Sequence, residues 1–209
     1  MLSILKIGVI LSCFASLVSL SILVAKTFSF GRKPLYAKSR RRGLRGIIYA
    51  FGRGMMPWEK ESAAKHLPTY IGGIAYHTGI FAALFYLFAL VFSFELSKTF
   101  VSLLRFFFFL AFISGLALLG KRILIPTMKK ISCPDDFFSN SIVDLFLLLA
   151  LVHTYVSSAT PFFFLLAIVI FLYMPVGKIR HCFFFFYTKI LFGLFYGRRG
   201  ILPPKTHKI

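Results

Sequence analysis

Residues 67–94 read LPTYIGGIAYHTGIFAALFYLFALVFSF and contain no aspartate, glutamate, lysine or arginine. A helix needs about 20 apolar residues to cross the hydrocarbon core of a bilayer. In lipid, a helix also satisfies all of its own backbone hydrogen bonds. This stretch is therefore predicted to form a transmembrane helix.

The same pattern recurs along the chain, of which 58% is hydrophobic. The sequence predicts an all-α integral membrane bundle of about five transmembrane helices, forming a single membrane domain over residues 1–209. The first span is predicted to be a retained anchor, because positive charge follows its apolar run. An aromatic and basic tail is expected to extend span five or to form an interfacial helix. The remaining predicted spans and the tail cover residues 5–25, 99–120, 137–157, 161–180 and 182–209.

The strong positive charge, formally +19, is concentrated in alternate loops. Residues 27–65, residues 121–136 and the tail after residue 177 carry 10, 4 and 7 of the 25 lysines and arginines. The positive-inside rule then predicts an outside N-terminus and a cytoplasmic C-terminus in a bacterial or archaeal cytoplasmic (inner) membrane. We expect these loops to contact anionic lipid, and we expect no nucleic-acid partner.

The three cysteines do not form a C-x-x-C pair. The sequence therefore predicts no zinc ribbon, no iron–sulfur cluster of its own and no covalently attached haem. Five spans leave no room for a separate catalytic domain, so no catalytic residue is assigned and enzyme status would belong to a complex.

Ionisable side chains inside membranes are energetically costly and are usually functional. Most of those within the predicted spans are histidines, and imidazole is a standard axial ligand of haem iron. The spacing of His66 and His77 places them within about 20° on one helical face, about 16 Å apart. Gly73 lies between them and would let a flat macrocycle approach the backbone. Ordinary tight helix packing is the alternative reading of this glycine. The ionisable residues within or at the ends of the spans are His66, His77, Arg105, Asp144, His153 and His181.

The depths of the histidines, estimated from the helical rise, suggest two haems ligated by His66 with His181 and by His77 with His153. A shift of a few residues would instead pair His77 with His181 around one haem. A plain hydrogen-bonding role at the outer end of span four is the alternative for His153.

Other polar residues have candidate roles beside a haem. Lys178 and Arg180 could pair with haem propionates or anchor the chain at the cytoplasmic face. Asp144, Tyr70 and Lys65 are the candidates for a quinone or proton path. Asp144 could equally pair with a nearby cation or cap its helix.

Two motifs resemble one family of membrane cytochromes. FLYMPVGKIRH (residues 171–181), followed by aromatic residues and a basic end, resembles the last helix of the gamma subunit of respiratory nitrate reductase. HLPTYIGGIAYHTGIF (residues 66–81) resembles the second helix of that family, which also includes the membrane cytochrome b subunits of heterodisulfide reductase. The resemblance covers roughly residues 60–200.

The resemblance implies a haem b protein that passes electrons between quinone and an iron–sulfur or multihaem redox subunit. His181 matches the inner-haem ligand of the last helix, and His66 or His77 would be its partner. The family has a second histidine about eighteen positions earlier, where this chain has Phe163. Either the second haem is lost or His153 replaces that ligand.

The sequence thus predicts a haem b membrane subunit of an electron-transfer complex, with one or two bis-histidine haems. Two alternatives stay open. One is a small ion or proton transporter that uses Asp144, Arg105 and the histidines. The other is a haem-free anchor subunit whose basic loops dock other proteins.

Overall fold

The computed structural model describes residues 2–30, 39 and 43–204. These residues form helices and no strand, which confirms the all-α prediction. Much of the first basic loop and the last five residues lie outside the described residues. The α-helices are α1 (Leu2–Ser29), α2 (Leu44–Phe51), α3 (Glu61–Lys65), α4 (Leu67–Val91), α5 (Lys98–Leu124), α6 (Pro126–Lys130), α7 (Pro134–His153), α8 (Thr160–Tyr173) and α9 (His181–Arg198).

Four helices, α1, α4, α5 and α7, are long and apolar enough to cross a membrane. A fifth candidate consists of Ser157–Tyr173 and Lys178–Arg198, which are bent by 78° at their junction. The prediction of a multi-pass helical membrane protein with four to five spans is therefore confirmed.

The predicted fifth span is not one continuous helix to residue 180. Helix α8 ends at Tyr173, just before Pro175. Pro175 has no N–H to donate to the carbonyl four residues earlier, so the helical hydrogen bonding stops here, although Met174 still has helical dihedrals (φ −51°, ψ −44°). The aromatic tail is a separate helix, α9, which begins at His181.

The chain divides into two compact units. Unit 1 comprises Met1–Ser19 and Pro68–Ile179, and unit 2 comprises Leu20–Leu67 and Arg180–Ile209.

Unit 1 has an aromatic core around α7. Phe146 on α7 stacks on Phe163 of α8 at 5.0 Å between ring centroids. Tyr86 of α4 lies 5.6 Å from the ring of Phe108 on α5. Phe108 and Phe163 are completely buried. Tyr86 also lies 6.3 Å from the Phe163 ring, so these aromatic contacts join α4, α5, α7 and α8.

Two neighbouring aspartates fix the start of α7. The Cys133 N–H donates to the Asp136 carboxylate at 2.9 Å, which caps the helix. Asp136 also forms ion pairs with Arg122 of α5 at 2.9 Å and with Lys178 after α8 at 2.6 Å. Asp135 accepts hydrogen bonds from the Tyr173 hydroxyl and from the Lys178 N–H. We call this group the aspartate clamp.

Unit 2 is built on close contact between α2 and α9. A Cβ atom on Gly46 would overlap the Gly193 carbonyl oxygen and would lie 2.6 Å from the Gly197 Cα. Gly193 and Gly197 have the G-x-x-x-G spacing, which lets two helix backbones approach closely. The sequence analysis missed this contact, although the spacing is visible in the sequence.

Candidate functional site

His77 is exposed on α4, and a backbone carbonyl orients its ring. Its Nδ1 lies 2.7 Å from the Gly73 carbonyl oxygen. Because a carbonyl oxygen can only accept, Nδ1 carries the hydrogen and Nε2 carries the lone pair. A Cβ on Gly73 would meet nothing within 4 Å. The imidazole thus lies beside open helix surface in the tautomer that a metal ligand requires.

His153 is buried, and hydroxyl groups occupy both of its ring nitrogens. The Thr160 hydroxyl donates its hydrogen to the Ser157 carbonyl at 2.6 Å. Thr160 Oγ1 must therefore accept from His153 Nε2–H, at 2.9 Å. His153 Nδ1 in turn accepts from the Tyr86 hydroxyl at 2.8 Å. His153 thus has the hydrogen-bonding role that was the alternative to haem ligation. To bind iron, it would have to lose one of these two hydroxyl partners.

His66 does not extend the face of α4. It is the residue that ends α3, with φ −127° and ψ 46°, and helix α4 begins only at Leu67. The predicted common face of His66 and His77 assumed one continuous helix, which the non-helical dihedrals of His66 interrupt. His66 is exposed and belongs to unit 2, as does His181, whereas His77 and His153 belong to unit 1.

The predicted site residues around His181 are exposed, and one of them, Lys178, also forms an ion pair. His181 is the first residue of α9 and is exposed, as is Arg180 before it. The ammonium group of Lys178 already forms an ion pair with Asp136, so it would have to leave this carboxylate to bind a propionate. Of the two predicted propionate partners, Arg180 is the better candidate.

Asp144 lies in the interior of unit 1 with a polar neighbour on the same helix. Its carboxylate is 4% exposed, and Oδ2 accepts from the Asn140 amide at 2.8 Å. The Tyr76 hydroxyl of α4 donates to the Asn140 carbonyl at 3.4 Å, one turn before Asp144. Asp144 is not a helix cap, since the ten residues from Pro134 to Val143 precede it in α7. The described contacts include no ion pair for Asp144.

The remaining predicted residues are peripheral to these groups. Tyr70 is half-buried on α4, and Lys65 is exposed at the end of α3. Arg105 donates to the Thr154 carbonyl at 2.6 Å and lies 4.0 Å from the centre of the Tyr155 ring. Arg105 thus satisfies a carbonyl at the end of α7 that the helix leaves without a partner.

Within the described ranges, no three or more His, Cys, Asp or Glu side chains are grouped to hold a bare metal ion. A haem iron needs only two protein ligands, so this finding concerns other kinds of metal site. No protein-family model, curated protein or solved structure matches the chain. The function must therefore be argued from its own residues.

Proposed function

We propose that this chain is the haem b membrane subunit of a respiratory electron-transfer complex, exchanging electrons between the quinone pool and a partner redox subunit. The observation that carries the proposal is His77, whose ring is oriented by the Gly73 carbonyl on an open surface of α4. Metal-bound histidines almost always donate their other N–H to a carbonyl, a carboxylate or water, which fixes the ring orientation. The Nδ1–H of His77 has such a partner in the Gly73 carbonyl.

His77 and His181 are proposed as haem ligands on separate grounds. His77 rests on the geometry just described, and His181 rests on the resemblance to the nitrate reductase gamma subunit. Haem supplies the one-electron redox chemistry when bound, while the chain supplies ligation, orientation and electrostatics. Arg180 beside His181 would pair with a propionate through a charge-assisted hydrogen bond.

One haem per chain is the count that the described contacts favour. His153, the proposed ligand for a second iron, already uses both ring nitrogens. Phe163, at the position of the family's second histidine, is fully buried and stacks on Phe146. A second porphyrin here would require this aromatic core to be rebuilt.

The location and partners follow from the same proposal. The chain would lie in the cytoplasmic (inner) membrane of a bacterium or archaeon, with quinone bound in the bundle and an iron–sulfur or multihaem subunit at one face. Its N-terminus would be outside and its C-terminus cytoplasmic. We expect green fluorescent protein fused to the C-terminus to fluoresce, and alkaline phosphatase fused there to be inactive.

The decisive experiment is a pyridine-haemochrome assay on the purified full-length chain. We expect one haem b per chain and a reducible α band. His77→Ala and His181→Ala should each lose the haem, whereas His66→Ala should retain it. His153→Gln is the matched control, because glutamine can still hydrogen-bond both hydroxyls.

Several results would contradict this proposal. A correctly inserted but colourless protein would support the haem-free anchor instead. Two haems per chain, with one lost in His153→Gln, would restore the pairing of His77 with His153. Ion or proton flux into liposomes containing the haem-free chain would support the transporter.

A further inference from the structure

Asp144 has one carboxyl oxygen that lacks a hydrogen-bond partner although it is buried. Oδ2 accepts from Asn140, but Oδ1 is inaccessible and has no partner. An ionised carboxylate in an apolar interior is strongly unfavourable without a counter-ion, so such a group usually binds a proton. The residue is therefore expected to be a neutral acid when the protein is at rest.

The groups that face Asp144 include hydrogen-bond donors but no cation. Tyr76 is the titratable group from α4, and α5 contributes Gly115 with its carbonyl. Asn140 contributes its amide from the preceding turn of α7. In the part of the chain that the structure describes, no lysine, arginine or histidine lies within ion-pair distance of this carboxyl group.

The carboxyl group occupies a space that exists because residue 115 is glycine. A Cβ on Gly115 would overlap Asp144 Oδ1 and would lie 2.5 Å from the Tyr76 ring and 2.9 Å from Asp144 Cγ. The acid is thus held between α4 and α5 with its unpartnered oxygen against the α5 backbone. This close fit fixes the position of the carboxyl group next to the Asn140 amide.

We propose that Asp144 is an intramembrane proton-binding site that exchanges its proton reversibly. On release, the carboxylic O–H bond breaks, its electron pair stays on the carboxylate, and the proton passes to water. Burial stabilises the acid form. The Asn140 amide stabilises the ionised form by hydrogen bonding. The site thus stabilises both the protonated and the ionised form of Asp144. This inference does not depend on a bound haem.

Infrared spectroscopy of the purified full-length chain in liposomes tests this inference. The wild-type chain should show the carbonyl stretch of a protonated carboxylic acid at neutral pH. The band should move in D₂O and should disappear reversibly as the pH is raised. Asp144→Asn should lack the band, and Glu95→Gln should retain it, because Glu95 is exposed in the connection between α4 and α5.

The infrared band can also be assigned to an aspartate without any substitution, so the test does not require Asp144→Asn to fold. Labelling with ¹³C-carboxyl aspartate should move the acid band in the unaltered protein. The other two aspartates, Asp135 and Asp136, form the aspartate clamp. Asn140→Leu removes one donor to the carboxylate, so more of the acid form should persist at the same alkaline pH.

Two outcomes would overturn the inference. One is the absence of an aspartic acid band at neutral pH, which would mean that Asp144 is ionised and has a counter-ion. The other is a band that responds neither to pH nor to D₂O, which would mean that the acid is sealed in the core. Haem content is measured separately, so a colourless protein would leave this test intact.

Discussion

Replacing Gly193 by alanine should destabilise unit 2, while the same replacement at Gly72 should stabilise α4. A Cβ on Gly193 would lie 2.5 Å from Ile47 Cα, 2.7 Å from Ile47 N and 2.8 Å from Gly46 O. Ordinary contacts begin near 3.4 Å, and these neighbours are backbone atoms. Helix α2 would have to move away by about 1 Å, and overpacking of this kind costs about 1–3 kcal/mol.

Gly72 provides the matched control because a Cβ there would meet nothing within 4 Å. Alanine in a helix interior is favoured over glycine by about 0.5–1 kcal/mol. Both glycines lie inside helices, so this gain is common to the two variants, which should differ by the overpacking cost alone, about 1–3 kcal/mol in free energy of unfolding.

Equilibrium unfolding in mild detergent measures both effects. Trp58, the single tryptophan, belongs to unit 2 and reports its unfolding by fluorescence. Circular dichroism follows the helices of both units. Equal unfolding midpoints for wild type and Gly193→Ala would refute the close contact between α2 and α9.

Two further substitutions test individual hydrogen bonds. Tyr86→Phe leaves the buried His153 Nδ1 without its donor, which should lower the free energy of unfolding by about 1–3 kcal/mol. Unfolding followed by circular dichroism measures this loss, and an unchanged midpoint would contradict the hydrogen bond. Hydrogen bonds from Tyr49 and then Arg53 lower the pKa of Glu59 below its ordinary value of 4.5. The ionised carboxylate therefore stabilises the fold above pH 4.5, and this stabilisation is lost as the pH falls through the lowered pKa. Tryptophan fluorescence should show this acid transition, and Glu59→Gln should remove it; a transition that persists in the variant would exclude Glu59 as its source.

The membrane helices could be predicted because their signal is local. Apolar length located α4, α5 and α7, and their starts at Leu67, Lys98 and Pro134 lie within three residues of the predictions. The end of α8 was missed because the hydrophobic run continues past Tyr173, while the break arises from Pro175 beyond it. Hydropathy does not detect a helix that bends within an apolar segment.

The candidate site could be predicted only as a set of residues. His77 bonds a carbonyl four residues away on its own helix, which helical geometry makes accessible to sequence reasoning. The Tyr86 partner of His153 is 67 residues distant, and such a pairing depends on which helices pack together. The buried position of Asp144 against Gly115 is likewise a property of the packed bundle.

The aspartate clamp has a consequence for the order in which the polypeptide is assembled. When the beginning of α7 leaves the ribosome, Arg122 has already been synthesised, but Lys178 lies 42 residues beyond Asp136. Until translation reaches that lysine, Asp136 has only one of its two cations, and the Lys178 N–H that Asp135 accepts does not yet exist. Full neutralisation of these acids therefore waits until α8 and the turn after it have been synthesised, so the start of α7 gains its second ion pair only after α8 exists.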